Sequence, residues 1–270
     1  MEQRRMDYHL HTLHSMDGLQ TVEELCSSMV SKGVQEICIT EHIEPGHPDP
    51  DLDIPPIWDV LLAEVAAARR VFPQLTIRAG VEIGDNPALR PQIMASLADL
   101  PLDFRLLSLH LVNGVDCYDT QDYFTGKTRA QAYREYAEAK AESILAWTDF
   151  DAVAHIGSVA KFSASHGPER ALVYDDAPDA FDAILRHIIH LGKALEVNTS
   201  GFATTGDTFA HSSILRRYID LGGELFTFGS DSHNVDRNYA DIERAKDMVR
   251  ALGGKYQAAF CQRRLTCWRI

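Results

Sequence analysis

The chain contains 270 residues, of which 45% are hydrophobic and 24% are charged, a composition typical of ordinary globular domains. Its formal net charge of −13 argues against a nucleic-acid-binding protein, because such proteins need basic patches that contact phosphates. The five cysteines are scattered and include no CxxC pair, which favours reduced thiols in a cytoplasmic protein. We see neither a signal-peptide segment nor an apolar stretch long enough to span a membrane, so we expect no membrane partner.

Short apolar runs alternate with helical stretches along the whole chain. The predicted strands are Asp7–His11, Gln35–Thr40, Thr76–Glu82, Phe104–His110, Ala152–His155, Ala194–Asn198 and Leu225–Ser230. The predicted helices are Val22–Lys32, Ile57–Val71, Pro87–Leu97, Arg129–Trp147, Ala177–His190, Ser212–Leu221 and Tyr239–Leu252. Strands that alternate with helices indicate parallel βαβ units, so we expect one α/β domain over residues 1–270. We expect the tail, Lys255–Ile270, to form a closing strand or hairpin.

Two histidines alternate with apolar residues in the first predicted strand. Residues i and i+2 of a strand point to the same face, so His9 and His11 are expected to project side by side. Two imidazoles on one face fit two positions on a single metal ion. A second ion could then take Asp17 or His14 as a ligand.

A histidine, an aspartate or a glutamate also lies at the end of nearly all of the remaining predicted strands. The carboxyl ends of parallel strands meet at one rim, where α/β barrels gather their functional residues. A lone histidine there would be structural, but buried charges on so many strands need partners or metals. The candidate ligands are His9, His11, Asp17, His42, Glu82, His110, His155, Asp231 and His233.

This ligand set predicts two or three divalent transition-metal ions. Imidazole and carboxylate together suit Zn, Mn or Fe, and the candidates outnumber the positions on one ion. Glu82 is the natural bridge, since its two oxygens can bind different ions. Clustered ions suit the hydrolysis of a small phosphoester, because one activates water while others bind the phosphate oxygens.

These residues, with their order and spacing, resemble the successive motifs of the polymerase and histidinol phosphatase (PHP) superfamily. The motifs are His9-Leu10-His11-Thr12, Ile39-Thr40-Glu41-His42, Gly80-Val81-Glu82, Ser108-Leu109-His110, His155 and Gly229-Ser230-Asp231-Ser232-His233. The length, and the segments 154–156, 195–201 and 256–264, look most like the monofunctional histidinol-phosphate phosphatases. The resemblance implies a distorted, TIM-like (β/α)7 barrel with a trinuclear metal site at the carboxyl ends of its strands.

The resemblance also implies how the ligands divide among three ions. One ion would be held by His9, His11, Glu82 and Asp231. A second would be held by Asp17, His42 and His233. A third would share Glu82 and add His110 and His155. Asp17 stands where other members have a histidine and is preferred to His14, which would point elsewhere if the strand ends at Thr12.

The family's reaction implies hydrolysis of a phosphomonoester, L-histidinol phosphate above all, by a metal-bridging hydroxide that attacks phosphorus. Asp231 and His233 would position or deprotonate the water, Glu82 would bridge the ions, and no phosphoenzyme would form. Lys161 stands where an arginine usually contacts the phosphate, and Lys lacks the bidentate fork of Arg.

Two other basic residues are candidates for the phosphate. Arg237 could reach it from another loop, or could simply face solvent; His211 could contact substrate, or could merely cap the helix at Ser212. These departures from the family pattern leave another phosphomonoester, or a cyclic or diester phosphate, open as the substrate.

Two rival interpretations remain at this point. An amidohydrolase-like metal hydrolase shares the HxH pair and a late aspartate, but it usually needs a lysine at the end of a middle strand. A non-enzymatic PHP module is disfavoured because all nine ligand positions are filled. We also expect the charged residues of the helix Arg129–Trp147, Lys140 among them, to form a solvated face. The loop from Pro45 to Asp51 reads as a mobile lid or as an ordinary surface loop.

Overall fold

The computed structural model describes residues 4–117, 123–161 and 170–270. Its strands are β1 (Met6–Asp7), β2 (Glu36–Ile43), β3 (Thr76–Gly84), β4 (Phe104–Ser108), β5 (Leu111–Val112), β6 (Val115–Asp116), β7 (Ala152–Val153), β8 (Ala194–Asn198), β9 (Leu225–Gly229), β10 (Tyr256–Cys261) and β11 (Arg264–Arg269). Its α-helices are α1 (Val22–Ser31), α2 (Trp58–Val71), α3 (Arg90–Leu97), α4 (Arg129–Leu145), α5 (Pro178–His190), α6 (Gly201–Thr204), α7 (Ser212–Asp220) and α8 (Ile242–Leu252). None of the helices in these ranges is long and apolar enough to cross a membrane.

Nine of the strands form one sheet, in the order β1-β2-β3-β4-β7-β8-β9-β10-β11, and β5 pairs with β6 in a separate hairpin. Every pairing in the large sheet is parallel except that of β10 with β11. Strand side chains alternate between two apolar clusters. Ile37 and Ile39 join the large cluster that includes helix residues, whereas Cys38 joins a smaller cluster with Phe104 and Phe260.

The structure confirms an α/β fold with a mainly parallel central sheet, and the tail forms the hairpin β10–β11 that was one of its two expected forms. The regular part of the first strand is shorter than predicted, since β1 ends at Asp7. The short hairpin β5–β6, which follows His110, was not predicted.

A closed seven-stranded barrel is not confirmed, because the sheet order begins at β1 and ends at β11. The reason lies at β9, whose first two residues pair with β10. Hydrogen bonds near the end of β9 do reach the chain that follows β1: Tyr8 N donates to Phe228 O at 2.9 Å, and Asp231 N donates to His9 O at 2.9 Å. The tail hairpin therefore occupies part of the edge that a closed barrel would give to its first strand.

The turn of the tail hairpin is tied to the sheet by two acids, of which only Asp151 is buried. Arg263 contacts Asp151 through Nε and Asp149 through Nη2, the latter at 2.9 Å, and its N–H donates to Asp103 O at 3.0 Å. Asp151 is almost fully buried. Removing its cationic partner leaves a buried carboxylate without compensation.

We expect Arg263→Ala to lower the free energy of unfolding by about 1–3 kcal/mol, because a charge-assisted contact to a buried group is lost. Urea unfolding followed by circular dichroism measures the change. Arg264→Ala, at the exposed neighbouring position, is the matched control and should change stability by less than about 0.5 kcal/mol. Equal losses for the two variants would contradict the anchoring role of Arg263.

Candidate metal centre

His9 and His11 lie side by side, as the strand spacing predicted. Their rings are centred 5.0 Å apart and both side chains are fully buried. The backbone around them is held against the end of β9, since His11 N donates to Ser232 O at 2.9 Å and His9 O accepts from Asp231 N. The chain beyond β1 thus brings the HxH pair to Asp231.

Glu82, on β3, is the centre of the histidine cluster. Its Oε2 lies 3.2 Å from His9 Nε2 and 2.9 Å from His42 Nδ1. Its Oε1 lies 2.7 Å from His155 Nε2 and 3.3 Å from His110 Nε2. The two oxygens of one buried carboxylate therefore face two different pairs of histidines, which is the arrangement a bridging ligand needs.

Asp231 completes the environment of the HxH pair. Its Oδ1 lies 3.5 Å from Nε2 of both His9 and His11. Its Oδ2 is within hydrogen-bond reach of Asn198 Nδ2 at 3.3 Å and of Ser200 Oγ at 3.4 Å. The backbone at Asp231 has φ +54°, a left-handed conformation that aspartate tolerates better than most residues.

Asp17, and not His14, faces the cluster. Asp17 Oδ2 lies 3.0 Å from His233 Nε2, and its Oδ1 lies 3.8 Å from His42 Nε2. His14 Nε2 instead contacts Glu64, on helix α2, at 3.1 Å. All nine side chains singled out from the sequence thus come together, although which of them bind metal stays a prediction.

We expect Asp17→Ala to lower metal affinity about 10-fold, because it removes one carboxylate oxygen from the group around His42 and His233. Metal titration followed by mass spectrometric analysis of bound metal measures the change. His14→Ala removes a neighbouring side chain that faces Glu64, and should leave the affinity unchanged. A larger effect from His14→Ala would reverse the assignment.

Hydrogen bonds set the orientation of four histidines. Nδ1 of His9 contacts Glu196 Oε1 at 2.6 Å, and Nδ1 of His110 contacts Glu44 Oε1 at 2.6 Å. Nδ1 of His11 lies 3.2 Å from Ser15 Oγ, and Nδ1 of His233 lies 3.0 Å from the carbonyl of Asp231. The carboxylates and the carbonyl only accept, and Ser15 Oγ already donates its proton to Glu41, so in the neutral rings these contacts assign the proton to Nδ1 and leave the lone pair of Nε2 for the cluster.

Burial and neighbouring charges perturb the titration of the cluster. Burial would raise the pKa of Glu82, but His9, His42 and His110 hold it well below its usual range. Burial, together with the imidazoles of His42 and His233, holds the pKa of His11 well below its ordinary value. Metal ligands require an ionised carboxylate and neutral imidazoles, and Glu82 and His11 favour these states. Burial would lower the pKa of His9, His42 and His110, but the neighbouring carboxylates raise it, so these three histidines lose a proton when a metal binds.

The donor set fits transition-metal ions on two grounds. Among the described residues, these cluster atoms are buried and have no hydrogen-bond partner: His9 Nε2, His11 Nε2, His42 Nδ1, Glu82 Oε2 and His233 Nε2. Ligand atoms about 2.0–2.1 Å from a tetrahedral Zn²⁺ lie about 3.4 Å from one another. The separations of 3.2–3.5 Å among His9, Glu82 and Asp231 match that spacing.

Several groups of three ligand atoms could each hold an ion. These groups are His9, His11 and Asp231; His11, His42 and His233; His9, Glu82 and His155; and His42, Glu82 and His110. They share members, so they describe overlapping positions in one cluster. The overlap supports more than one ion and gives no fixed count.

Glu196 and Glu44, which sequence reasoning did not include, support the cluster from behind. Glu196 Oε2 accepts from His155 N at 2.6 Å, in addition to its contact with His9. Strand β9 can lie close to His9 and Glu196 because its last residue, 229, is glycine. A Cβ at that position would lie 2.4 Å from the Cβ of His9 and 2.5 Å from Glu196 Oε1. The available signal was a buried acid in the middle of an apolar strand.

Glu41 precedes His42 in the chain but lies outside the cluster. It is fully buried and accepts hydrogen bonds from Thr12 Oγ1 and Ser15 Oγ. Because Ser15 Oγ also contacts His11 and accepts from His42 N at 3.0 Å, Glu41 anchors the hydroxyl that orients both histidines.

Lys140 corrects the predicted solvated face of helix α4. Its side chain is fully buried, and among the described residues its Nζ has no hydrogen-bond partner. Burial lowers the pKa of Lys140 to about 8, although the carboxylates of Glu82 and Glu196 favour its charged form. The buried Lys140 therefore interacts electrostatically with Glu82 and Glu196, the two acids that contact His9.

The cluster forms the floor of a cavity of about 240 Å³. The lining residues that are not candidate ligands are Met16, Glu44, His47, Leu52, Asp116 and Lys161. His47 comes from the loop from Pro45 to Asp51, which was interpreted as a lid or a surface loop, and Leu52 directly follows it. In the structure this loop forms part of the cavity wall, and His47 is buried.

Of the three predicted phosphate contacts, only Lys161 lines this cavity. His211 accepts a hydrogen bond from Ser213 N at 3.1 Å and thereby caps helix α7, and its Nε2 lies 3.1 Å from Asp207. Arg237 lies in a short 3-10 helix after His233 and is not among the described residues that line the cavity. Both remain predictions without support from their placement.

A mainly parallel α/β fold with a buried histidine and carboxylate cluster at one end of its sheet is the arrangement of a metal-dependent hydrolase. Residues 7–200 match the PHP domain family, so the chain belongs to that family. The match favours this family over the amidohydrolase-like alternative.

Relatives that align with nearly the whole chain are named histidinol-phosphatase or probable histidinol-phosphatase. The histidinol-phosphatase of Lactococcus lactis is 26% identical over 262 residues, 95% of this chain and 94% of the relative. A probable histidinol-phosphatase of Clostridium acetobutylicum is 28% identical, over 90% of this chain and 92% of its own length. The crystal structure of histidinol phosphate phosphatase from Lactococcus lactis, in complex with Zn, L-histidinol and phosphate, is similar with a TM-score of 0.89 at 25% identity. It covers 97% of this chain and 99% of that one.

Proposed function

We propose that this protein is a metal-dependent phosphatase that hydrolyses L-histidinol phosphate to L-histidinol and phosphate, a step of histidine biosynthesis. The observation that carries the proposal is Glu82, whose two oxygens face two different sets of histidines at the floor of the cavity. The named relatives, which align over nearly all of the chain, support the substrate.

We propose that the nine clustered side chains hold two or three ions of Zn, Mn or Fe. His9, His11, Glu82 and Asp231 would hold one; Asp17, His42 and His233 a second; and Glu82, His110 and His155 a third. When bound, such ions supply an activated water and positive charge for the phosphate oxygens. The short contacts of Glu82 with His9 and with His155 support its role as the shared ligand.

The chain's own residues would orient the reaction. Asp231 and His233 flank His11, where one or the other would position the attacking water or accept its proton. Lys161 lines the cavity and would contact the phosphate as a single positive charge. Because none of these steps uses a side-chain nucleophile, no phosphorylated enzyme should accumulate; trapping one would refute this account.

We also propose that the chain is a single domain over residues 1–270, with a sheet that approaches a distorted (β/α)7 barrel. The hydrogen bonds from Tyr8 N to Phe228 O and from His11 N to Ser232 O support a near-closure between the first strand and β9. A cytoplasmic location is part of the proposal and is supported by five cysteines that form no disulfide.

The test measures phosphate release from L-histidinol phosphate, simple phosphomonoesters and a phosphodiester, before and after removal of metal by a chelator. We expect the highest kcat/KM for L-histidinol phosphate, loss of activity on chelation, and recovery on addition of Zn²⁺, Mn²⁺ or Fe²⁺. Activity that survives complete metal removal would refute the metal-dependent mechanism. A preference for the diester would reassign the substrate.

A further inference from the structure

One wall of the cavity belongs neither to the ligand cluster nor to the predicted phosphate contacts. It is built by the loop that follows β2 and by the hairpin β5–β6, which together supply His47, Leu52 and Asp116. Asp116 is an acidic residue in a cavity whose floor is suited to bind an anion. A carboxylate in such a place repels phosphate and attracts a positively charged part of the substrate.

The hairpin fixes the position of Asp116 relative to the cluster. Asp116 pairs with Leu111 across the hairpin, and the next residue, Cys117, donates its N–H to His110 O at 2.9 Å. The backbone at Asp116 is therefore bonded to the chain directly after a candidate metal ligand. Its side chain is 21% exposed, which leaves it accessible from the cavity and shielded from bulk water.

His47 orients the carboxylate of Asp116. His47 Nδ1 accepts from Asp49 N at 3.1 Å, so the proton of the neutral ring lies on Nε2. That Nε2 faces Asp116 Oδ2 at 3.5 Å. The other cavity carboxylate of this region, Glu44, is engaged by His110. Glu44 therefore supports a candidate metal ligand, whereas Asp116 lines the cavity beside His47, which lies outside the cluster.

We infer that Asp116 binds the ammonium group of the substrate and so selects phosphomonoesters that carry an amine close to the phosphate. This inference rests on the proposed function and assigns a specificity residue to it. L-Histidinol phosphate carries its amine on the carbon next to the phosphorylated CH₂O group, so a bound phosphate holds the amine within a few bonds of the cluster. Lys161 lines the same cavity and would contact the phosphate at the other end of the substrate.

The test compares L-histidinol phosphate with 3-(imidazol-4-yl)propyl phosphate, the same molecule without its amine. In Asp116→Asn the shape is kept and the charge is lost, and a charge-assisted contact of this kind corresponds to about 10- to 100-fold in affinity. We expect the ratio of kcat/KM for the two substrates to fall by about that factor, mainly through KM. Asp116→Glu, which keeps the charge, should restore part of the ratio.

Asp51→Asn is the matched control. It removes one negative charge beside Leu52 at an exposed position that does not line the cavity, and it should leave the substrate ratio unchanged. An equal loss on both substrates in Asp116→Asn, or an unchanged ratio, would overturn the inference. If the wild-type protein hydrolyses neither substrate, the proposed function itself fails, a result distinct from an unchanged ratio in an active enzyme.

Discussion

Replacing Glu82 with glutamine is expected to reduce kcat by more than about 100-fold, because loss of residues that merely orient metal ligands already costs 10- to 100-fold. Glutamine has nearly the same shape as glutamate, but one of its two terminal atoms is a nitrogen that donates hydrogen bonds. In Glu82 one oxygen faces His9 and His42, and the other faces His110 and His155. The amide can serve only one of these two sides.

The bound metal distinguishes this explanation from a folding defect. We expect Glu82→Gln to bind fewer equivalents of metal than the wild type, as measured by mass spectrometry after dialysis, and to keep the wild-type far-ultraviolet circular dichroism spectrum. Glu138→Gln, on the exposed side of α4, removes an equal charge and should keep both metal and activity. A Glu82→Gln protein with full metal content and full activity would exclude the bridging role.

The clustering of these side chains was predictable because it depends on two simple rules of backbone geometry. Alternation along a strand placed His9 and His11 together, and parallel strands that end at one rim placed His42, Glu82 and Asp231 near them. Both rules concern the backbone alone. They needed no knowledge of which strands are neighbours, and for that reason the mainly parallel α/β fold was also predictable.

Supporting residues were harder to predict, because their partners depend on strand order. Glu196 of β8 contacts His9 only because β9, whose end carries a glycine, lies next to β8. Closure of the sheet was unpredictable for a similar reason. It depends on how many residues of β9 pair with β10 and how many bond to the chain after β1.

The burial of Lys140 could have been predicted from the sequence of α4, but the helix was interpreted by its charges instead. Along α4 the buried residues include Tyr133, Tyr136 and Ala137, and a helical period of 3.6 places Lys140 on the same stripe. Counting charges suggested a solvated helix, whereas following the stripe would have predicted a buried lysine. A buried lysine beside a carboxylate cluster is a stronger indicator of a site than a charge on an exposed face.

The second large effect is expected for Glu196→Gln. Glu196 is not one of the candidate metal ligands. Glu196 accepts the Nδ1 proton of His9 with one oxygen and the N–H of His155 with the other, each at 2.6 Å. Both partners are donors, so the amide nitrogen of glutamine must face one of them, and a buried donor is left unpaired. We expect metal affinity or kcat to fall by about 10- to 100-fold.

This explanation also predicts when the activity of Glu196→Gln should recover. If Glu196 acts by fixing the proton of His9 on Nδ1, then excess metal should restore much of the activity of Glu196→Gln, because metal binding itself selects the correct tautomer. Activity measured against metal concentration reports this, and Glu224→Gln, at an exposed ion pair with Lys255, is the matched control. A defect that excess metal does not relieve, with wild-type metal content, would place Glu196 in the chemical step instead of in the orientation of His9.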